Sequence, residues 1–382
     1  MITYFIKFNF LCNSLVTEIF TSDMNFIIED RKLKEAEVRE LVVREIPVDI
    51  PDWQIDIYNF LQQWWDTQDF IEVKTSGSTG DPKILRLKKS MMIASAEQTC
   101  EYFNIDSGSK LLLCLPASHI GGKMMIVRAL ISNADLHSIK PSRVPKFKEK
   151  IDFSAMTPYQ VGGLLEDSPK SFDRIQNLII GGSAIPPKLR KKITKLKPKS
   201  YATYGMTETA SHVALNDIKS GNEKFQALEH VTFDKDERSR LVINAAHLGL
   251  YGLQTNDVVE LDGVFAFQWK GRFDEVINSG GIKIFPAELE IEAERVTGYP
   301  CLVFGVKHDK LGEAVHMLVE APAKKQKAIL EKLKTGLDKF QKPRKIDFVE
   351  KFERSELQKV RKNLTINKWK EASQLGASVL LK

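Results

Sequence analysis

The chain has 382 residues, 43% hydrophobic and 28% charged, ordinary proportions for a globular protein of a length that exceeds what one compact core usually supports. The 56 basic and 50 acidic residues leave a net charge of +6, which suits anionic ligands such as nucleotides and does not require a nucleic acid. Cys12, Cys100, Cys114 and Cys301 form no C-x-x-C pair, the seven histidines show no H-x-x-x-H spacing, and no apolar run is long enough for a membrane span; this disfavours a disulfide framework, a zinc site and a transmembrane protein, and the expected location is the cytoplasm.

Residues 1–23, MITYFIKFNFLCNSLVTEIFTSD, are apolar and aromatic with a single lysine, but lack the charged start and small-residue cleavage site of a secretory signal. An upstream extension or an overlong start is as good a reading as a targeting peptide, and the fold is not expected to depend on this segment. An amphipathic segment opens at Met24. Residues 70–73 (FIEV) predict a strand, and a helix is expected after Ser90, where Met92, Ala96, Thr99 and Phe103 share one face.

Between them, residues 75–83 read TSGSTGDPK. Gly77 and Gly80 let the backbone turn with its N–H groups inward, the hydroxyls of Thr75, Ser76, Ser78 and Thr79 can donate to phosphoryl oxygens, and Lys83 adds a mobile positive charge. This is not a Walker A loop, because Asp81 and Pro82 separate the second glycine from the lysine. The competing reading is a Gly/Ser surface turn.

Residues 111–115 (LLLCL) read as a buried strand stopped by Pro116. Residues 178–180 repeat the pattern and run into Gly181, Gly182 and Ser183, after which Pro186 and Pro187 suit a helix start. The basic run 188–199 (KLRKKITKLKPK) carries Leu189, Ile193 and Leu196 at three- to four-residue spacing, and reads as the solvated face of a helix in preference to a polyanion site. Alternating strand and helix signals argue for an α/β fold, in which ligands collect beyond the strand ends. A second unit begins near Gly271: residues 302–306, 315–320 and 344–349 predict strands and 325–340 a helix, enough for a small independent domain.

Further motifs follow the loop in a telling order: YGMTET at 204–209, QTND at 254–257 and GRFDEVINSGGIKIFPAELE at 271–290. On these motifs the chain resembles, along most of its length, the adenylate-forming superfamily of acyl-CoA synthetases, luciferases and peptide-synthetase adenylation domains. The resemblance implies a large α/β amino-terminal adenylating domain (24–273) and a small mobile α+β carboxy-terminal lid domain (274–382) hinged at Asp274, with ATP, Mg2+ and CoA as cofactors. Only 74 residues precede Thr75, so the family's amino-terminal subdomain is expected to be trimmed.

Forming an acyl adenylate brings two anions together, so cations and hydrogen-bond donors must stabilise the charge. By the resemblance, the 75–83 loop holds the β- and γ-phosphates, Thr207 contacts the α-phosphate and Glu208 binds magnesium; otherwise Glu208 is a surface carboxylate at a helix start. Tyr204 stacks on adenine with Gly181, Gly182, Ser183 and Ala184 as the opposite wall, unless it is only a core aromatic. Asp257 accepts from the ribose hydroxyls and Arg272 adds a donor. Asn256 stands where many members carry glycine, and asparagine tolerates the same left-handed backbone. The family's catalytic lysine falls in R-[ST]-x-x-G-K-[IV]-x-R. Here RSELQKVRK aligns Lys359 with that lysine and Lys362 with the trailing arginine, with Gln358 in place of the glycine. Gly280, Gly281 and Lys283 face the CoA channel.

For the acid, residues 115–130 (LPASHIGGKMMIVRAL) resemble the L-P-x-x-H-x-x-G segment of 2-succinylbenzoate:CoA ligases of menaquinone biosynthesis, and NSGGIKIFP resembles their lid motif. That implies an aromatic diacid read by Arg128, with His119 at the pocket mouth and Gly205 beside the substrate. Arg128 is otherwise a helix-surface residue and His119 a core histidine. A carrier-protein-loading enzyme and a noncatalytic nucleotide-binding regulator stay open as alternatives, and homo-oligomerisation is left open.

Overall fold

A computed structural model describes residues 24–29, 31–44, 46, 49–74, 84–338, 342–355 and 360–374. The larger of the two main sheets has thirteen strands. One half is parallel, in the spatial order Asn25–Ile28, Asp135–Ser138, Lys110–Leu113, Ile151–Met156, Ile175–Ile180 and Lys199–Gly205, with Arg31–Lys34 closing the edge antiparallel. From His212–Asp217 onward the pairing is antiparallel, through Phe225–Ala227, Ala266–Arg272, Leu250–Leu261, Arg240–Ala245 and Thr232–Lys235.

The parallel strands are covered on both faces, which is why they read as continuous apolar runs. Leu112, Leu178 and Ile180 pack with Val161, Leu164 and Ile193 on one side. Leu111, Leu113 and Ile179 belong to the other, larger core with Met92, Ala96, Phe103 and Met124. Met92, Ala96, Thr99 and Phe103, the expected face of the helix after Ser90, are all buried. That helix runs Lys89–Phe103 and stops at Asn104, whose left-handed backbone (φ 52°) lets its N–H reach back to the carbonyls of Cys100 and Glu101.

Three extents differ from the sequence reading. A strand, Ile84–Lys88, stands before the expected helix and pairs antiparallel with Phe70–Lys74 as a separate two-stranded sheet. Its period-two signal spans only five residues, and what fixes it is cross-strand pairing, including the Arg86–Glu72 ion pair at 3.1 Å. The basic helix is short, Pro187–Ile193: Ile193 is fully buried and Pro198 cannot continue a helix, so residues beyond Thr194 form turns. The helix expected over 325–340 runs Gln326–Gly336.

The second main sheet has five strands: Ile282–Ile284, Ile277–Ser279, Gly312–Glu320 and Cys301–His308 in order, with Lys345–Val349 parallel to Gly312–Glu320. It has its own core. Ile277, Leu289, Val303, Met317, Ile329 and Leu333 pack on one face against the helices Pro286–Thr297 and Gln326–Gly336. Phe304, Leu318 and Phe352 pack on the other against Trp369 of the Lys362–Gln374 helix. The two units touch where Lys188 Nζ donates to the Gly298 carbonyl at 3.0 Å and where Lys270 pairs with Glu288 at 3.4 Å.

Candidate active site

The segments at 115–119, 181–184 and 206–209 leave the carboxyl ends of the Lys110–Leu113, Ile175–Ile180 and Lys199–Gly205 strands. Because those strands are parallel, all three segments emerge at one edge of the sheet, where an α/β fold builds a ligand site.

Tyr204 and Asp257 meet at that edge. The Tyr204 hydroxyl donates to Asp257 Oδ2 at 2.7 Å, and the Trp269 indole N–H donates to Oδ1 at 3.0 Å. Burial first, and then the Asp257 charge, push the Tyr204 phenol well above its usual range, so it stays a donor. Its ring lies edge-on to Phe267, with centroids 4.9 Å apart. Asp257 is only 7% exposed and pairs in register with Arg272, whose Nη1 lies 3.9 Å from Oδ1 while its Nε donates to Asp274 Oδ1 at 3.3 Å. Burial would lower the Arg272 guanidinium, but Asp257, Asp274 and Glu275 outweigh it. Asn256 lies inside the continuous Leu250–Leu261 strand and is not among the residues with positive φ, so the expected left-handed backbone there is absent. It falls where the register with Arg240–Ala245 shifts, between the Val242–Gln254 and Arg240–Val258 pairs, and immediately precedes the Asp257–Arg272 pair.

Gly205 ends its strand in contact with the neighbouring one. A Cβ there would lie 2.2 Å from the Ser211 carbonyl oxygen and 2.5 Å from His212 Cα, so no side chain fits. This close approach sets the turn Thr207–Thr209, which the Thr209 hydroxyl stabilises by accepting from the Met206 N–H at 3.0 Å. Thr207 is half-buried and Glu208 exposed. Glu208 lines a cleft of about 450 Å³ with Arg86, Lys88, Ser90, Met91 and His247. The cleft thus abuts the strand that directly follows the 75–83 loop. Gly181 is half-buried, and Gly182, Ser183 and Ala184 are exposed beside it.

Arg128 is 1% exposed, which removes the helix-surface alternative. Its Nη2 donates to Ser211 Oγ at 2.6 Å, its Nε has no partner, and no carboxylate pairs with it among the described residues. Burial pulls the guanidinium down to about 10, which leaves it charged at neutral pH. Burial, then the charge of Arg128, hold the His212 imidazole well below its usual range, so it is neutral. His119 is half-buried at the start of the Ile120–Ser132 helix and lines a different cleft of about 530 Å³, with Trp53, Asp56, Ser118 and Lys140. The structure therefore brings Tyr204, Asp257 and Arg272 together and sets Arg128 beside the turn carrying Thr207 and Glu208, while His119 stands apart from Glu208.

In the second unit Asp274 is exposed in the turn Phe273–Glu275. Gly280 and Gly281 form the two-residue link of a hairpin, both with positive φ (60° and 84°), a turn that glycine makes without strain. Lys283 is exposed beside them. Lys362 Nζ contacts Glu275 Oε2 at 2.7 Å and Glu290 Oε1 at 3.2 Å. Thr75, Ser76, Gly77, Ser78, Thr79, Gly80, Lys83, Gln358, Lys359 and residues 1–23 lie outside the described residues.

Sequence reasoning missed Ser211, Trp269 and the Glu275–Lys362–Glu290 cluster. Ser211 lies two residues past the TET triplet and could have been noticed there; the Trp269 contact depends on strand register and left no local signal.

Residues 73–233 match the model of the AMP-binding enzyme family. The acyl-CoA synthetase (AMP-forming)/AMP-acid ligase II-like protein of Dyadobacter fermentans is 30% identical, with 87% of this chain and 97% of that one covered, at a TM-score of 0.57. The chain belongs to the family of AMP-binding, adenylate-forming enzymes. Among its relatives, the 2-succinylbenzoate–CoA ligase of Haemophilus influenzae is 27% identical over 235 residues, 56% of this chain and 51% of that protein. The o-succinylbenzoate CoA synthetase of Bacillus subtilis, solved with an acyl-adenylate intermediate, shares the fold over 96% of this chain and 98% of its own, at a TM-score of 0.76 and 15% identity. The chain spans 51–65% of the length of the first curated relatives it matches.

Proposed function

We propose that the protein is an ATP-dependent acid:CoA ligase, and that its acid is an aromatic diacid, best fitted by 2-succinylbenzoate. The observation that carries the substrate class is Arg128, a fully buried cation with no carboxylate partner among the described residues, 2.6 Å from a hydroxyl next to the Thr207–Thr209 turn. A buried charge without a counterion is costly, and a second substrate carboxylate would supply one.

In this reading one carboxylate oxygen of the acid attacks the α-phosphorus of ATP and pyrophosphate leaves. The CoA sulfur then attacks the acyl carbon, and AMP leaves as the thioester forms. Thr75, Ser76, Gly77, Ser78, Thr79, Gly80 and Lys83 hold the β- and γ-phosphates, Thr207 holds the α-phosphate, and Lys359 stabilises the charge of the first transition state. Tyr204 and the 181–184 segment flank adenine, Asp257 and Arg272 bind the ribose, and Gly205 leaves room for the acid. His119 guards the pocket mouth. Glu208, exposed beside Thr207, would hold magnesium, an ion commonly held by one or two carboxylates with phosphate oxygens completing its shell. When bound it would neutralise phosphate charge.

Residues 24–273 form the adenylating domain and 274–382 a lid that turns about Asp274 to bring Gly280, Gly281 and Lys283 to the CoA channel. The test is a panel of carboxylic acids with ATP and CoA, read by mass spectrometry of the thioester. Turnover of 2-succinylbenzoate above benzoates and fatty acids supports the assignment; faster turnover of a monoacid removes the substrate and leaves the ligase class. Acylation of a carrier protein in place of CoA would favour the carrier-loading alternative.

A further inference from the structure

We propose that His212 is a positioning residue for the acid-reading cation: by fixing the Ser211 hydroxyl it holds Arg128 in place to meet a substrate carboxylate, an inference that rests on the reading of Arg128 given above. The side chains come from distant segments. Thr99 lies on the Lys89–Phe103 helix, Arg128 on the Ile120–Ser132 helix, and Ser211 and His212 at the start of the His212–Asp217 strand. Thr99, Arg128 and His212 are 0%, 1% and 4% exposed, and the same two helices bury Met92, Ala96, Met124 and Val127 in the larger core. Polar groups in such surroundings are costly unless they find partners.

Donors and acceptors fit one arrangement. The Thr99 hydroxyl donates its single proton to the Ser95 carbonyl at 3.0 Å, so toward His212 Nε2, 3.4 Å away, it can only accept. Nε2 therefore carries the ring proton. Because His212 is neutral, held so by burial and by the Arg128 charge, its Nδ1 is an acceptor. The Ser211 hydroxyl, 3.2 Å from Nδ1, donates to it and leaves its oxygen to accept from Arg128 Nη2 at 2.6 Å.

The Ser211 backbone is fixed as well. Its N–H donates to the Thr209 carbonyl at 2.7 Å and its carbonyl accepts from the Thr209 hydroxyl at 2.6 Å. Ala210 between them has a left-handed backbone (φ 58°), uncommon for a residue with a Cβ and kept only where the surroundings impose it. Little else orients the guanidinium: Nη1 faces the weak acceptor Met125 Sδ at 3.7 Å, and Nε has no partner. Cys100 supplies no counter-charge, because burial pushes its thiol up to about 11. Ser211 Oγ is the one oxygen bonded to this cation among the described residues, and His212 sets which way that oxygen faces.

The test uses the full chain and its H212Q, H212N and S211A variants. Asparagine puts its amide oxygen where Nδ1 stood and can still accept from Ser211; glutamine reaches the place of Nε2 and cannot. In thioester formation, H212Q and S211A should raise the KM for 2-succinylbenzoate about tenfold or more, with kcat less affected, as expected when a binding group is slightly misplaced. The KM for ATP, which shares no partner with this cluster, should stay within about twofold, and H212N should recover most of the loss. An equal rise in both Michaelis constants, or H212N no better than H212Q, would overturn the proposal. S211A removes a single oxygen and keeps the test in reach if H212Q does not fold; an unchanged KM for the diacid in S211A would also overturn it. Absence of acid-dependent turnover in the wild type would count against the ligase reading instead. Ring-nitrogen NMR of histidine-labelled protein then judges the arrangement: a neutral His212 protonated at Nε2 between about pH 6 and 8 supports it, and a proton on Nδ1 overturns it.

Discussion

The hydroxyl of Tyr204 donates to Asp257 across two separate strands of the large sheet, at 2.7 Å, and the Trp269 indole holds the other carboxylate oxygen. One buried carboxylate therefore fixes three strands at the edge where the nucleotide is expected. An ionised carboxylate offers about four acceptor positions, so two remain for ribose hydroxyls.

Replacing Asp257 with alanine should raise the KM for ATP by about 10- to 100-fold, from loss of hydrogen bonds to a charged group worth roughly 1.5–3 kcal/mol each. It should also lower the melting temperature, because Tyr204 and Trp269 lose their acceptor. Tyr204→Phe removes one donor and leaves the carboxylate, so its effect on the KM for ATP should be smaller. Steady-state kinetics with thermal denaturation of both variants checks this; an unchanged KM in Asp257→Ala would remove the ribose role.

Arg128→Ala should weaken recognition of the diacid by about 2–5 kcal/mol while leaving the apparent affinity for ATP nearly unchanged. Arg128→Lys keeps the charge and loses the geometry that reaches Ser211, so it should fall between the two. Separate titrations of acid and ATP distinguish the outcomes, and equal loss for both would mean that Arg128 supports only the fold.

A pH effect should come from Glu294 on the Pro286–Thr297 helix. Burial, then the Glu290 and Glu320 charges, raise its carboxyl from 4.5 to about 7, against the lowering effect of the Cys301 N–H and Lys188. A raised pKa means that the stabilisation is complete below the unfolded value and is lost as pH rises through about 7. Chemical denaturation should therefore show stability falling between pH 5 and about 7 and levelling above it, and Glu294→Gln should flatten that slope. An identical slope in the variant would contradict the assignment.

How far the sequence led depends on where each signal sits. The Lys89–Phe103 face was legible because Met92, Ala96, Thr99 and Phe103 recur at three- to four-residue spacing within a fifteen-residue helix. The strands at 175–180, 301–308 and 312–320 were legible because burial on both faces gives long apolar runs. The strand Ile84–Lys88 was not, since five residues beside a glycine- and proline-containing loop carry too few alternations. Candidate site residues at strand ends were found through motif spacing, whereas Trp269 and the Glu275–Lys362–Glu290 contacts arise from register and helix packing between distant segments. Asn256 shows the opposite error: asparagine tolerates left-handed backbone, but here the strand takes up the irregularity as a register shift around residues 255–257, without a positive φ at Asn256.

Lys359→Ala should slow acyl-adenylate formation by roughly a hundredfold or more, the scale for removing one preorganised donor, and leave CoA attack on supplied acyl adenylate nearly normal. Asp274→Pro, which restricts the backbone at the hinge, should show the reverse pattern. Single-turnover measurements of each half-reaction separate them. If Lys359→Ala leaves adenylation intact, the lysine is misassigned.

The central claim is that this chain couples a carboxylic acid to the α-phosphate of ATP, and ATP–pyrophosphate exchange in the presence of 2-succinylbenzoate tests it most directly. Labelled pyrophosphate should enter ATP only when the acid is present, and exchange should be faster with 2-succinylbenzoate than with benzoate. Exchange that no carboxylic acid stimulates would contradict the account and leave a protein that binds nucleotide without activating an acid.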